Sequence, residues 1–386
     1  MEDETVVVKL PNLELADLRF YLSIPRYPNK AQVQERLLEA IRKDAMSGFY
    51  KYLVAEHYLP LDQDLLASIE QINEEKIKAF DNAIVDAENN LGESEVREAL
   101  LSKANYFCLI GAKEQAIAAY ASTAEKTVAL GQRLDITFTL VRLGFFFDDY
   151  DLVNRSIRKA HSLMEEGSDW DRRNRLKTYE AIQAMHSRKF DLAANLLIET
   201  LATFTSYEVF TLETFIFYTV IAATVSLDRI SLKKKIIDSP EVLAVIQKTP
   251  HLSSLLNDYY NGEYRNFLIA LLGIFELMNH DRLLSQHSRW YFKEMRIKVY
   301  AQFLENYQSV QLDSMASQFG LSPKFLDEEL SRFISVNRIN CKIDKVGGII
   351  QTNRSDNKNV QYETLLKQGD MLLNRIQKLA ARVVNM

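Results

Sequence analysis

The histidines, the cysteines and the adjacent carboxylates are the residues of this 386-residue chain best suited to chemistry. The histidines are His57, His161, His186, His251, His280 and His287. No two of them have the His-x-His or His-Glu-x-x-His spacing that places two imidazoles on one metal ion. His280 and His287 are seven residues apart and could share one face of a helix, but no carboxylate near them has metal-site spacing. The histidines therefore predict no metal site.

Nucleophiles and phosphate-binding loops are also poorly represented. Cys108 and Cys341 lie far apart in the chain, so they cannot form a zinc site by themselves. Asp148 and Asp149 are adjacent carboxylates without a third group that would orient them. The sequence contains neither the usual glycine-rich phosphate loops nor the Gly-x-Ser-x-Gly nucleophile turn. We therefore predict no catalytic residue, no cofactor and no enzymatic activity.

The charged run from Asp169 to Lys177 has two interpretations. Its basic residues stand beside two aspartates, and they are Arg172, Arg173, Arg175 and Lys177. The run could therefore be a basic contact patch. Salt bridges at the start of a helix explain it equally well.

Length and composition favour a helical protein of several parts. A chain of 386 residues exceeds the size at which a single core keeps growing, so two or three structural units are expected. Only 12 Gly and 7 Pro favour long helices over turn-rich β architecture. The net charge of −5 does not suggest a polyanionic partner. The acidic N-terminus is unlike a signal peptide, and the apolar stretch 214–227 is too short to cross a membrane, so we expect a soluble intracellular protein without a membrane partner.

The middle of the chain shows weak internal repetition. The segments "CLIGAKEQAIAAY", "FFFDDYDLVNRSI" and "HSRKFDLAANLLI" each follow an apolar helical pattern and begin another. Their equivalent positions Ala116, Val153 and Ala193 stand roughly forty residues apart. This period predicts a mainly α fold, a right-handed solenoid of helical repeats like tetratricopeptide (TPR) repeats. An irregular helical domain is the alternative.

The last hundred residues predict a winged helix. Leu312, Met315, Ala316 and Phe319 have helical spacing, and Gly320 ends that helix. A second helix, capped by Ser322, would bury its apolar face: Phe325, Leu326, Leu330, Phe333 and Ile334. Two strands around Gly347-Gly348 would form the wing.

The second helix of this winged helix has an unusual charge for a DNA reader. DNA-reading helices use Arg, Lys, Asn or Gln to meet phosphates and base edges. Here Asp327, Glu328 and Glu329 oppose only Lys324 and Arg332. Phosphate repulsion therefore argues against a nucleic-acid partner, although a nucleic-acid-binding winged helix stays the second interpretation.

A final helix from about 360 to 384 carries a coiled-coil seam. The seam residues are spaced alternately four and three apart: Leu365, Gly369, Leu372, Ile376, Leu379 and Val383. A lone terminal helix cannot bury such a stripe by itself. It must fold back on the chain or join helices of partner proteins, and we favour partners.

Seven blocks of sequence carry a family resemblance: "NLGESEVREALLSKANY", "KTVALGQRLDI", "DWDRRNRLKTYE", "TFTSYE", "LSRFI", "CKIDKV" and "TNRSDNKNVQYETLLKQGDMLLNRIQKL". They resemble the subunit-seven type of non-ATPase lid subunits of the 26S proteasome regulatory particle, which are PCI-domain proteins. A helical solenoid that leads into a winged helix is the layout of PCI scaffold subunits in the proteasome lid, the COP9 signalosome and translation initiation factor three.

The resemblance implies a non-catalytic scaffold that supports lid assembly and ubiquitin-dependent protein degradation in the cytoplasm and nucleus. In this family the winged helices of PCI subunits align side by side. The C-terminal helices form a bundle with those of the deubiquitinase subunit and its inactive metalloprotease-fold partner. Contacts with a small acidic disordered lid subunit and with the proteasomal ATPase ring are also implied. A PCI scaffold of the signalosome or of the initiation factor is the alternative.

With this family in view, we expect four parts and two contact surfaces. The parts are an N-terminal helical segment (1–61), TPR-like repeats (62–186), a PCI domain (187–356) with its winged helix at about 301–354, and a C-terminal assembly helix (357–386). On the wing, we expect unpaired edge groups at Ile343 and Ile350 that a neighbouring winged helix completes. On the C-terminal helix, the expected contact residues are Leu365, Leu372, Ile376, Leu379 and Val383.

Overall fold

The computed structural model describes residues 10–25, 27–90, 92–167, 169–352 and 357–384. Residues 1–9 and 385–386, which belong to the predicted terminal parts, and the connector 353–356 lie outside the described residues. Contacts divide the chain into two compact units, one of residues 1–260 and 270–292, the other of 261–269 and 293–386. This division does not follow the predicted domain bounds, which stay a prediction.

The described part of the first unit consists mainly of helices. Three helices come first among the described residues: α1 (Leu13–Ser23), α2 (Lys30–Asp44) and α3 (Ser47–Ala55). Eight further helices follow: α4 (Gln63–Asn90), α5 (Glu93–Leu109), α6 (Lys113–Glu125), α7 (Leu130–Phe146), α8 (Tyr150–Glu165), α9 (Trp170–His186), α10 (Phe190–Thr200) and α11 (Leu212–Ser226). Among these, α5 packs chiefly on α6, α7 on α8 and α9 on α10, as in a solenoid of helix pairs.

The repeat is visible in the turns between paired helices. Gly111, Asp148 and Arg188 occupy equivalent positions in the three turns, and each has a positive φ, of 74°, 55° and 59°. Ala116, Val153 and Ala193 follow each of them by five residues and are completely buried. These positions hold the second helix of each pair close to the first. The expected solenoid of helical repeats is therefore confirmed.

Five further α-helices complete the described helical part before the winged helix. They are α12 (Arg229–Leu232), α13 (Pro240–Val245), α14 (Leu252–Asn261), α15 (Tyr264–Asn279) and α16 (Ser288–Leu304), with a π-helical turn at Lys233–Ile237. The charge-free stretch of α11 is almost wholly buried, as expected for a core helix. Within the described part of the chain, no helix has the combined length and apolar character that a membrane crossing requires.

The second unit contains the expected winged helix, with one strand that the sequence did not predict. Its elements are β1 (Ser309–Gln311), α17 (Leu312–Phe319), α18 (Pro323–Ser335), β2 (Cys341–Asp344) and β3 (Ile349–Thr352). The sheet order is β1-β3-β2, and both pairings are antiparallel. Beyond the wing, α19 (Asn357–Val384) is the C-terminal helix.

The two helices of the winged helix begin and end where their residues predict. Gly320 ends α17 with a φ of 66°, and Ser322 caps α18 by accepting from the amide of Phe325. Leu326, Leu330 and Phe333 are buried. The prediction that Phe325 lies in the core is wrong. Its side chain is 43% exposed, and its ring lies 6.0 Å from the guanidinium carbon of Arg296. Phe325 precedes buried Leu326 by one residue, which is about 100° around the helix, and this rotation places it outside the core.

Candidate interaction surfaces

Two histidines that lie 101 residues apart meet in the first unit. The imidazole Nε2 of His287 lies 2.9 Å from the carbonyl oxygen of His186. On its other side, Nδ1 of His287 accepts a hydrogen bond from Nε of Arg188 at 3.3 Å. His287 is buried, and burial lowers the pKa of its imidazole. This imidazole joins two segments of chain, and the spacing of the two histidines does not predict the contact.

The described residues provide no group of three or more His, Cys, Asp or Glu that could hold a metal ion. Both cysteines are buried and free. Burial raises the pKa of the Cys108 thiol to about 12 and that of Cys341 to about 11. Each thiol is therefore protonated at neutral pH, whereas a nucleophilic cysteine needs a thiolate.

The charged groups singled out in the sequence have structural partners. Asp149 caps α8 at the amide of Leu152 and pairs with Lys113 at 2.6 Å. Asp148, its neighbour, pairs with Arg19 and Arg282. The run from Asp169 to Lys177 starts α9, and three of its cations form ion pairs: Arg172 with Asp135 and Asp169, Arg175 with Asp171 and Glu208, and Lys177 with Glu199. Of its two interpretations, the salt-bridged helix start therefore describes most of this run.

A small cavity of about 160 Å³ lies beneath α1. Its polar lining includes Asp17, Tyr218 and Arg282. Pockets for small molecules usually enclose roughly 300–1,000 Å³. These lining groups also bond to protein partners: Asp17 to Arg282 at 2.9 Å, and Tyr218 to Asp281 at 2.7 Å. The cavity therefore has neither the size nor the free polar groups of a ligand site.

The three acids of α18 have different environments. Glu329 is buried and pairs with Arg296 at 2.7 Å, and it also accepts from the hydroxyl of Tyr300 at 2.7 Å. Asp327 is half-buried and pairs with Lys345. Only Glu328 is exposed. Two of the three negative charges on which the phosphate-repulsion argument depends are therefore neutralised within the domain. That argument against a nucleic-acid partner is correspondingly weaker.

The edge strands of the wing differ from those that the sequence predicted. β3 is the central strand, since Ile350 pairs with Val310 of β1 and with Ile343 of β2. The Ile350 side chain is completely buried. The expectation that Ile350 lies at an unpaired edge is wrong, because β1 covers that side. Among the described strands, the edges belong to β1 and β2, and half-buried Ile343 lies on β2.

Substitution of Ile350 should therefore test the core of the winged helix. We expect Ile350→Ala to lower the free energy of unfolding of this unit by about 2–5 kcal/mol, the usual cost of deleting a buried isoleucine. Ile343→Ala, on the edge strand, should cost about 1 kcal/mol. Hydrogen exchange of the β3 amides measures both. Unchanged protection in the Ile350→Ala protein would contradict its place in the core.

The C-terminal helix exposes a wide apolar stripe. Eight large apolar side chains of α19 are 57–70% exposed: Tyr362, Leu365, Leu366, Met371, Leu372, Leu373, Ile376 and Leu379. Val383 lies within the bounds of α19, but its side chain lies outside the described residues. The described part of the chain does not cover the stripe. An exposed apolar surface of this length is typical of a protein–protein contact.

Comparison with known proteins supports this description of the C-terminal helix. The family model for the 26S proteasome regulatory subunit RPN7/PSMD6 C-terminal helix matches residues 361–383. The model for 26S proteasome subunit RPN7 matches residues 62–235, and the PCI domain model matches residues 273–354. This chain belongs to the RPN7/PSMD6 family.

Full-length relatives agree with the family assignment. The chain is 50% identical over 99% of its length to the whole of 26S proteasome non-ATPase regulatory subunit 6 of Dictyostelium discoideum. It is 49% identical to the Arabidopsis thaliana homologue over 97% of both chains. Similarity to COP9 signalosome complex subunit 1 of Arabidopsis is 29% over only 39% of this chain and 34% of that protein. The proteasomal interpretation is therefore favoured over the signalosome alternative.

Proposed function

We propose that this RPN7/PSMD6 family member is a non-catalytic scaffold subunit of the 26S proteasome lid, which supports lid assembly and ubiquitin-dependent protein degradation. The observation that carries the proposal is the uncovered apolar stripe of α19. A helix that exposes so many leucines gains stability by joining other apolar helices, because each buried leucine contributes about 1.5–3 kcal/mol.

The absence of catalysis in this proposal is supported by the chemistry of the described residues. The free thiols are buried and protonated. The carboxylates nearest to one another serve helix caps and ion pairs. No group of three or more His, Cys, Asp or Glu within the described residues could hold a metal ion.

Two surfaces would hold the partners. The edge of β2 at Ile343 would receive the winged helix of another PCI lid subunit, because an unpaired strand edge accepts a further strand. Leu365, Leu372, Ile376, Leu379 and Val383 of α19 would join a helical bundle with the deubiquitinase subunit and the inactive metalloprotease-fold subunit. Contacts with the small acidic disordered lid subunit and with the ATPase ring, and a location in the cytoplasm and nucleus, complete the proposal.

Native purification of the tagged chain from cells, followed by mass spectrometry, tests this proposal. We expect lid subunits and proteasomal ATPases to co-purify. Recovery of signalosome or initiation-factor subunits in their place would overturn it.

The isolated chain should not hydrolyse peptide, ubiquitin-isopeptide or ATP bonds faster than a heat-denatured control. Tight binding to duplex DNA that weakens steeply with salt would support the nucleic-acid alternative.

A further inference from the structure

The N-terminal helices run along the turns of the repeats. We define the strap as residues 10–25 and 27–60, which contain α1, α2 and α3. At the turn between α5 and α6, the amides of Gly48 and Phe49 both donate to the carbonyl of Ile110, at 3.0 and 3.2 Å. A Cβ on Gly48 would lie 2.6 Å from the carbonyl oxygen of Gly111. The backbone of α3 therefore lies in direct contact with the backbone of this turn.

The strap then contacts the next turn of the solenoid. At the turn between α7 and α8, the rings of Phe49 and Phe146 are 4.9 Å apart. The ring of Tyr52 meets the ring of Phe147 edge-on at 5.4 Å. Because Phe49 contacts both this turn and the preceding one, a single residue of α3 connects two successive repeats.

A third contact lies further along the same unit, in the segment after α15. The ring of Tyr27 meets that of His280 at 5.8 Å. Asp17 of α1 accepts from Nε of Arg282 at 2.9 Å. The strap therefore contacts chain segments that are about 130 residues apart, at residue 148 and at residue 282.

Four charged residues connect the strap to two other parts of the first unit. We define the ion cluster as Asp17, Arg19, Asp148 and Arg282. Asp148 accepts from Arg19 with one carboxylate oxygen and from Arg282 with the other, the latter at 3.0 Å. The side chains of Arg19 and Arg282 are only 6% and 9% exposed. Arg282 also donates to the carbonyl of Phe145 at 2.7 Å. Asp148 therefore bridges two nearly buried cations that belong to distant parts of the chain, and Asp17 supplies the second negative charge of the cluster.

We propose that the strap is a conformational brace that fixes the spacing of successive repeat turns, and that the ion cluster locks it. A solenoid takes its curvature from small rotations between neighbouring repeats. A segment that bonds to several turns at once restricts those rotations. When the ion cluster opens, α1 separates from the turn at Asp148 and the repeats are free to change their relative angles.

The variant Asp148→Asn in the full chain tests the lock. Asparagine tolerates the left-handed backbone at this position, where φ is 55°, so the change removes charge without adding strain. We expect the amides of α1 to exchange at least tenfold faster, with α9 and α10 unchanged. The exposed neighbour Asp151 provides the matched control, and Asp151→Asn should change nothing in α1. Unchanged exchange in α1, or an equal increase in α9 and α10, would overturn the proposal.

Two further measurements separate the brace from a general loss of stability. In Asp148→Asn, Arg282 keeps its ion pair with Asp17, whereas Arg19 loses its pair with Asp148. Adding Arg19→Gln removes that nearly buried cation, so part of the lost protection in α1 should return. Small-angle scattering of the Asp148→Asn protein should show a changed distribution of interatomic distances. Released α1 amides with wild-type scattering would show that the strap does not set the spacing of the repeats.

Discussion

Replacing Leu372, Ile376 and Leu379 together with serine is expected to abolish incorporation of this chain into the proteasome lid. These side chains are 57–66% exposed in the isolated chain, so the melting temperature should stay nearly unchanged. In the assembled state each would contribute about 1.5–3 kcal/mol by burial. Three such losses exceed about 4 kcal/mol, which corresponds to a roughly thousandfold weaker association even before ordering costs are considered.

The matched control uses the same helix and the same substituent. Lys367, Asn374 and Lys378 are exposed on α19 and lie off the seam. The triple change Lys367→Ser, Asn374→Ser and Lys378→Ser lowers helix propensity by a similar amount without removing apolar surface. Native gel electrophoresis and mass spectrometry of the purified lid should show the control incorporated and the seam variant absent. A seam variant that unfolds as a monomer would mean that the helix packs on its own chain, and one that assembles normally would mean that the seam is not an interface.

The sequence predicted helices better than strands, and β1 shows why. α17 and α18 have apolar residues at helical spacing and recognisable caps, so local patterns suffice to define them. β1 has only three residues, and it is a strand because Val310 lies opposite Ile350, forty residues later. No local pattern encodes that pairing. Because β1 was not predicted, Ile350 was wrongly predicted to lie at an edge of the sheet.

The contacts of the strap were unpredictable for the same reason. Asp148 was recognised as a carboxylate without a partner in the sequence, yet its partners are Arg19 and Arg282, more than a hundred residues away on either side. His186 and His287 show the same limit. By contrast, Leu372 and Ile376 were identified correctly as parts of one apolar stripe, because the stripe lies within a single helix whose periodicity is local.

Glu328 and Glu329 illustrate how adjacent identical residues acquire different roles, and they lead to the second large prediction. Glu329 is 7% exposed and bonds to Arg296 and Tyr300, whereas Glu328 faces solvent. Burial, followed by the nearby charge of Glu329, raises the pKa of the Tyr300 phenol, so this phenol stays protonated and donates. Removing Glu329 would delete the ion pair that it forms with the largely buried guanidinium of Arg296.

We therefore expect Glu329→Ala to lower the unfolding free energy of the winged-helix unit by about 3 kcal/mol, the lower end of the cost of breaking a buried ion pair. Glu328→Ala, one residue away, should change it by less than about 0.5 kcal/mol. Hydrogen exchange of the α18 amides in the full chain measures both, and equal effects of the two variants would contradict the assignment. Replacing both partners by apolar residues, as in Glu329→Leu with Arg296→Met, should recover most of the loss, because both ends of this ion pair are then replaced by apolar side chains.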